Sequence, residues 1–395
     1  MTSGGKPPAL DLAHRFPGLS DGWSRFDGPA GTQVVDTAIA AIAANLASPA
    51  TANGHGPFPQ SAACDVATDH ARTAVGRLLG TPDGGAGIVF GPSMTGLMFN
   101  LTRSLAHGLG PGTNVVGTRL DHDANVTPWA VAGATSGAEH RLARFDTTTG
   151  RLDLDHLVSL LDEHTRWVAV TGASNALGTR PDLPAVVAAA RAVGARVLVD
   201  GVHLTPHARI DLASLGVDAF LCSAYKWYGP HLGVLWLAPD LLQGLAPTKV
   251  RPATDVGPGR WEQGTPAFEL LAGAAAAAEF VLDVTPEAIA AHESAQFATL
   301  LDGLHALPDV RVWGPPDAVD RTPTVALTVD GHSPVALAVH LASHQCAAWA
   351  GDYYAVEAMA ALGLAATGGA VRLGLACYST TDDIMRVLDA LATLT

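Results

Sequence analysis

From Gly87 onward the chain alternates short apolar runs with segments of helical periodicity. The runs are IVF at 88, NVVGT at 114, WVAVTG at 167, RVLVDG at 196, AFLCSA at 219 and VLWLA at 234. Each is too short for a helix and apolar at adjacent positions, as strands buried on both faces are. Between them, segments such as 182–193 repeat their apolar residues at the helical period. This alternation predicts a mostly parallel sheet covered by helices on both faces. Residues 1 to about 60 have another texture, rich in Gly, Pro, Ser and Ala, with one helical stretch near Val34–Leu46. A Gly/Pro-rich passage at 252–266 precedes a long Ala-rich helix ending near 284. After it come a helix at 292–306, the strands VRVWG and TVALTV, a helix at 334–344, the strands CAAWAG and AVRLGLA, and a helix from Thr380. The predicted organisation is an N-terminal arm (1–59), a large α/β domain (60–265), and a connecting helix with a smaller C-terminal α/β domain (266–395).

Composition narrows the function. With 395 residues and 48% hydrophobic content, the chain can bury a large core. A net charge of −14, with no basic run to offset it, repels phosphate backbones and anionic membranes, so no nucleic acid and no membrane is expected as a partner. The start, MTSGGKPPALDLAHRF, lacks the apolar core of a secretory signal, and ELLAGAAAAAEFVLDV is too short and too acidic to span a bilayer. A cytoplasmic location is the expectation. Cys64, Cys222, Cys346 and Cys377 are scattered, with no C-x-x-C pair and no spacing that suits zinc, so no metal is expected and buried thiols are. The Gly108-Leu-Gly-Pro-Gly-Thr segment lacks the third glycine of a dinucleotide fingerprint and precedes a strand instead of following one. No G-x-x-x-x-G-K-[ST], H-E-x-x-H or G-x-S-x-G occurs.

Only three lysines are present, Lys6, Lys226 and Lys249. Lys226 ends an apolar strand and precedes a Gly-Pro turn and a second apolar strand, a position at the rim of a sheet where ligand sites form. Ser223 and Tyr225 beside it offer hydroxyls for a phosphate, and 26 residues earlier Asp200 ends the strand RVLVD. A carboxylate there can keep a pyridine nitrogen protonated, which lets the ring draw electrons from a carbanion.

The runs LVDGVH and SAYKWYGPHLGVL resemble the two cofactor signatures of the class V aminotransferases, the superfamily that includes cysteine desulfurases, kynureninase and isopenicillin N epimerase. The resemblance spans residues 26–385. It implies fold-type I architecture, with a mostly parallel seven-stranded sheet in the large domain, pyridoxal 5'-phosphate as cofactor, and Lys226 as the Schiff-base lysine. FGPSMTGLMFNL places Met94 and Thr95 at the phosphate cup, and DHDANVTPW makes His122 the ring that stacks on the pyridine. SNALGT puts Asn175 near the cofactor phenolate and the substrate carboxylate, and His203 stands where many members have glutamine. EQGTP implies that Thr265 reaches the phosphate of the neighbouring subunit in a homodimer whose active site lies at the subunit boundary. VRLGLACYSTTDD makes Arg372 the clamp for an α-carboxylate. Taken singly, His122 is also readable as a loop histidine, Asn175 as a turn residue, Thr95 as a helix N-cap and Arg372 as half of a surface ion pair.

One departure bears on the reaction. Desulfurases carry a mobile-loop cysteine that attacks the substrate sulfur, and here Gly351-Asp-Tyr-Tyr-Ala occupies that place, while Cys346 opens the apolar run CAAWA. The expectation is therefore an enzyme on an α-amino acid, best read as a carbon–sulfur β-lyase on a cysteine S-conjugate with Tyr353 and Tyr354 against the substrate. Aminotransfer, decarboxylating deamination, epimerisation and an atypical cysteine desulfurase remain open alternatives. A silent scaffold has no need to keep Lys226, Asp200, His122 and Arg372 together.

Overall fold

The computed structural model describes residues 10–49 and 53–394. In chain order the strands are β1 (Ser24–Arg25), then β2 (Ile88–Gly91), β3 (Asn114–Thr118), β4 (Glu139–Ala143), β5 (Thr165–Thr171), β6 (Arg196–Asp200), β7 (Ala219–Ser223) and β8 (Gly233–Leu237). A second group follows: β9 (Val310–Trp313), β10 (Thr324–Val329), β11 (Cys346–Ala347), β12 (Trp349–Gly351) and β13 (Ala370–Gly374).

The larger sheet has seven strands in the order β2-β8-β7-β6-β5-β3-β4, and β8 alone runs antiparallel to its neighbours. Strands β3, β7 and β8 are buried along their whole length, as the continuous apolar runs require. The edge strand β4 is the one that periodicity missed. Its sequence EHRLA is polar and partly exposed, so an apolar run cannot reveal it.

Helices Asp36–Ala47 and Pro59–Leu79 both pack on helix Phe268–Val284. That helix buries Gly273, Ala274, Ala275, Ala277 and Ala278, so its small residues admit neighbours on several sides. Helix Pro59–Leu79 was not recognised in the sequence. The helix expected at 292–306 begins six residues earlier, at Pro286, where Thr285 caps it by accepting from Ala288 N.

The smaller sheet has the order β12-β13-β10-β9, all antiparallel. The run CAAWAG was expected as one strand but splits in two. Its β11 pairs in parallel with β1 of the N-terminal segment, while β12 joins the four-stranded sheet beside β13. The N-terminal segment is thereby sewn to the C-terminal part of the chain, and Asp27 bridges to Gly374. Arg321 fastens the two sheets at another point: it is buried, and its guanidinium donates to the carbonyls of Leu177 at 2.8 Å and Thr324 at 2.6 Å. Among the described residues no helix is long and apolar enough to cross a membrane.

Candidate active site

The parallel strands of the larger sheet point their carboxyl ends at one cavity of about 330 Å³. Five of these strand ends contribute to the lining: Ser93, Met94 and Thr95 after β2, His122 after β3, Asn175 after β5, Asp200 and His203 at β6, and Ser223, Tyr225 and Lys226 at β7. This is where open α/β sheets bind ligands. The smaller sheet closes the other side with Arg372 on β13, Trp349 on β12, and Tyr353 and Tyr354 from the turn that follows.

Ser93 caps helix Met94–Leu105 by accepting from Gly96 N at 3.1 Å. Thr95 is therefore not the N-cap. The Met94 and Thr95 amides open the helix at the cavity, where backbone donors and the helix dipole suit an anion. Gly233 on β8 makes this position possible. A Cβ there would lie 2.3 Å from the Ser93 carbonyl carbon and 2.5 Å from Met94 N.

His122 is fixed by its own turn: Nδ1 accepts from Ala124 N at 3.0 Å, so the neutral ring carries its proton on Nε2. Burial, and next the cations Lys226 and Arg372, push its pKa down to about 4. The ring is neutral at physiological pH. Asp200 is buried, with Oδ1 accepting from Val202 N at 3.0 Å. Burial raises its pKa to about 6, against the Val202 amide and Lys226, which favour the anion.

Lys226 is buried in a turn of 3-10 helix just after β7. Its Nζ donates to the carbonyl of Pro29 and lies 5.0 Å from the Tyr225 ring centroid. Burial and the Arg372 cation push its pKa down to about 7, while Asp200 pulls the other way. The amine is thus available in its neutral, nucleophilic form near physiological pH. Pro29 was not foreseen. Its contact is a backbone carbonyl brought from 197 residues away, and no side-chain pattern marks it. Gly374 admits this segment, since a Cβ on it would meet the Pro29 ring at 2.1 Å.

Arg372 is not a surface residue. It is buried, donates to the Asn175 carbonyl at 2.8 Å, and has the Tyr353 ring 4.5 Å from its guanidinium. No carboxylate pairs with it among the described residues, so burial lowers its pKa to about 10. A buried cation lining a cavity without a counter-ion is suited to an anionic ligand. Asn175 donates from Nδ2 to the Tyr353 carbonyl at 2.8 Å, and its buried Oδ1 has no partner. His203 is buried, with Nε2 2.9 Å from Thr324 Oγ1.

One expectation needs correction. Tyr353 lies under Arg372, and its hydroxyl donates to the Ala370 carbonyl, so it is not available to a leaving group. Tyr353 and Tyr354 both adopt left-handed φ, 55° and 58°. This tight turn leaves Tyr354 exposed, its ring 5.5 Å from that of His122. Thr265 is exposed and does not line this chain's own cavity. Cys346 is buried and lies outside the cavity, and burial pushes its thiol up to about 11.

The residues fit pyridoxal phosphate at each end of that molecule. The Met94 and Thr95 amides and the buried Ser223 hydroxyl would hold the phosphate, Lys226 faces the aldehyde, and Asp200 is a buried carboxyl suited to a protonated pyridine nitrogen. A cysteine desulfurase of Klebsiella pneumoniae subsp. pneumoniae is 33% identical over 296 residues, 72% of this chain and 71% of its own. An uncharacterised protein of Mycobacterium tuberculosis is 32% identical over 393 residues, 96% of this chain and 97% of its own. Among solved structures, the cysteine desulfurase CsdA of Escherichia coli superposes with a TM-score of 0.87 at 24% identity, covering 97% of both chains. The apo cysteine desulfurase of Thermococcus onnurineus does so with a TM-score of 0.90 at 23% identity, again over 97% of both. Residues 25–387 match the family described as Aminotransferase class-V, and the chain belongs to that family of pyridoxal-phosphate enzymes acting on amino acids.

Proposed function

We propose that this enzyme cleaves the carbon–sulfur bond of cysteine or a close derivative, as an atypical cysteine desulfurase whose cavity supplies no sulfur-accepting thiol. The observation that carries the reading is the cavity lining. It joins Lys226, Asp200, His122 and Arg372, yet none of its residues is a cysteine. The substrate class is supported by the relatives named as cysteine desulfurases. Cysteine S-conjugate lysis, the expectation from sequence, is the less supported reading. One observation favours it as a second: elimination needs no acceptor thiol, and exposed Trp349 and Tyr354 beside the cavity leave room for a larger substituent on sulfur.

Arg372 would bind the α-carboxylate through its planar fork, aided by Asn175. That anchor turns the α-carbon toward Lys226, whose amine, neutral above a pH of about 7, can take the α-proton. Bound pyridoxal phosphate supplies the sink for the electron pair left at that carbon. Asp200 would hold the proton on the pyridine nitrogen that makes the sink effective, and His122, which lines the same cavity, would pack against the ring. A thiolate from solution then attacks the substrate sulfur as the carbon–sulfur bond breaks, the electron pair stays with the β-carbon, and protonation there gives alanine beside the persulfide of the thiol.

Product analysis tests this. Holoenzyme incubated with L-cysteine and a small thiol is expected to give alanine and a persulfide of the added thiol. Pyruvate, ammonia and a free thiol from S-substituted cysteines, with little alanine from cysteine, would replace this reading by the lyase. Carbon dioxide release, or a 2-oxo acid that keeps its sulfur, would overturn both.

A further inference from the structure

Beneath the cavity lies a polar chain that the reaction above does not use. His203 lines the cavity, and its ring sits edge-on to that of His207, with centroids 5.3 Å apart. His207 Nδ1 is 2.7 Å from Glu293 Oε2 of helix Pro286–Ala306. Glu293 is 1% exposed, and its second oxygen, Oε1, has no partner. A carboxyl group so placed, 86 residues from His207 in sequence and deep in an apolar surround, needs a reason to be there.

The other groups around the pair offer no alternative cation to Glu293. Tyr228 and Cys377 face it, and burial drives the pKa of each well above its ordinary value, so neither is charged. The adjacent His292 accepts from Leu10 N on Nδ1 and contacts the Ser379 carbonyl through Nε2, the pattern of a neutral ring. Burial first, then His207 on one side and Lys226 and Arg372 on the cavity side, hold the His203 ring neutral. Asp200 lies on the same cavity side. Among the described residues His207 is left as the hydrogen-bond partner of Glu293, at 2.7 Å, a distance that suits a charge-assisted bond.

We propose that His207 and Glu293 form a buried ion pair and that Glu293, acting through His207, is a positioning residue for the cofactor site. It fixes a positive charge behind His203, which lines the cavity, so that this charge would favour negative charge on bound pyridoxal phosphate. His203 is then the neutral ring between this charge and the cofactor. Neither His207 nor Glu293 lines the cavity, so the charge acts without touching the substrate.

The sign of the effect follows. Glu293→Gln removes the anion, and an unpaired buried imidazolium gives up its proton. With the positive charge gone, the Lys226 nitrogen linked to the cofactor should bind its proton more tightly. In the holoenzyme, the midpoint of the absorbance titration of that linkage should rise by at least about half a pH unit, a roughly threefold gain in proton affinity. Cofactor occupancy should stay at the wild-type level. An unchanged or lowered midpoint in a folded E293Q holoenzyme would overturn the proposal. A measurement on the wild-type holoenzyme keeps the test open if E293Q does not fold. Histidine ¹⁵N resonances should show both ring nitrogens of His207 protonated and His203 neutral at neutral pH. A neutral His207 would overturn the assignment.

Discussion

Lys226, Asp200, His122 and Arg372 are each shifted by burial first and by their neighbours second, and the neighbours set what can be tested. Lys226 is pushed down to about 7, with Arg372 as the main charge acting against its ammonium form. The rate at which apoenzyme captures pyridoxal phosphate should therefore rise through a midpoint near that pH and level off above it, because only the neutral amine is nucleophilic. Arg372→Gln removes the repelling cation, which favours the ammonium, so the midpoint should move up. Stopped-flow capture rates across pH give the answer, and a midpoint unchanged or lowered by R372Q would contradict it. Asp200→Asn should leave the cofactor bound but slow turnover by about a hundredfold or more, since the pyridine nitrogen loses the carboxylate that keeps it protonated. Near-normal kcat in that variant would make Asp200 structural. Most of these residues were legible in the sequence because each stands in a motif on or just after a strand. Pro29 and Glu293 were not. One contributes only a carbonyl and the other acts through a histidine, and both come from segments far away in the chain.

At the scale of elements, the site depends on how closely helix Met94–Leu105 approaches β8. Gly233→Ala would place a methyl group within 2.5 Å of backbone atoms of Ser93 and Met94, and the start of the helix must shift. Overpacking of this kind costs about 1–3 kcal/mol. The shift moves the anion-binding amides, so the affinity for pyridoxal phosphate should fall about tenfold. Equilibrium titration of G233A by fluorescence measures it, and wild-type affinity would mean that these amides do not hold the phosphate. The strands of the larger sheet were readable wherever both faces are buried, because only then does the run stay apolar. Edge strand β4 escaped because its residues are partly exposed, and CAAWAG was read as one strand because an apolar run does not reveal which sheet its halves join. The turn at Tyr353 and Tyr354 was beyond reach for another reason: left-handed φ at two bulky residues runs against their local preference.

For the whole molecule, the account joins two sheets and an N-terminal segment around one cavity, and it leaves Thr265 facing outward. If Thr265 serves a neighbouring copy, the active form is a homodimer and dissociation should release cofactor. Analytical ultracentrifugation at falling protein concentration, with absorbance of the bound cofactor followed in parallel, should show both lost together. Full occupancy in a monomer would remove Thr265 from the site. The central claim is that the buried amine of Lys226 carries the cofactor. Lys249 is held by Asp255 at 2.8 Å and by the Ala253 carbonyl at 2.9 Å, outside the cavity, and Lys6 lies outside the described residues. Borohydride reduction of the holoenzyme followed by peptide mapping decides among the three amines. A pyridoxyl group on Lys226, with no label and no visible absorbance band in Lys226→Ala, is the predicted result. A label on Lys249 or Lys6, or cofactor retained covalently in Lys226→Ala, would contradict it.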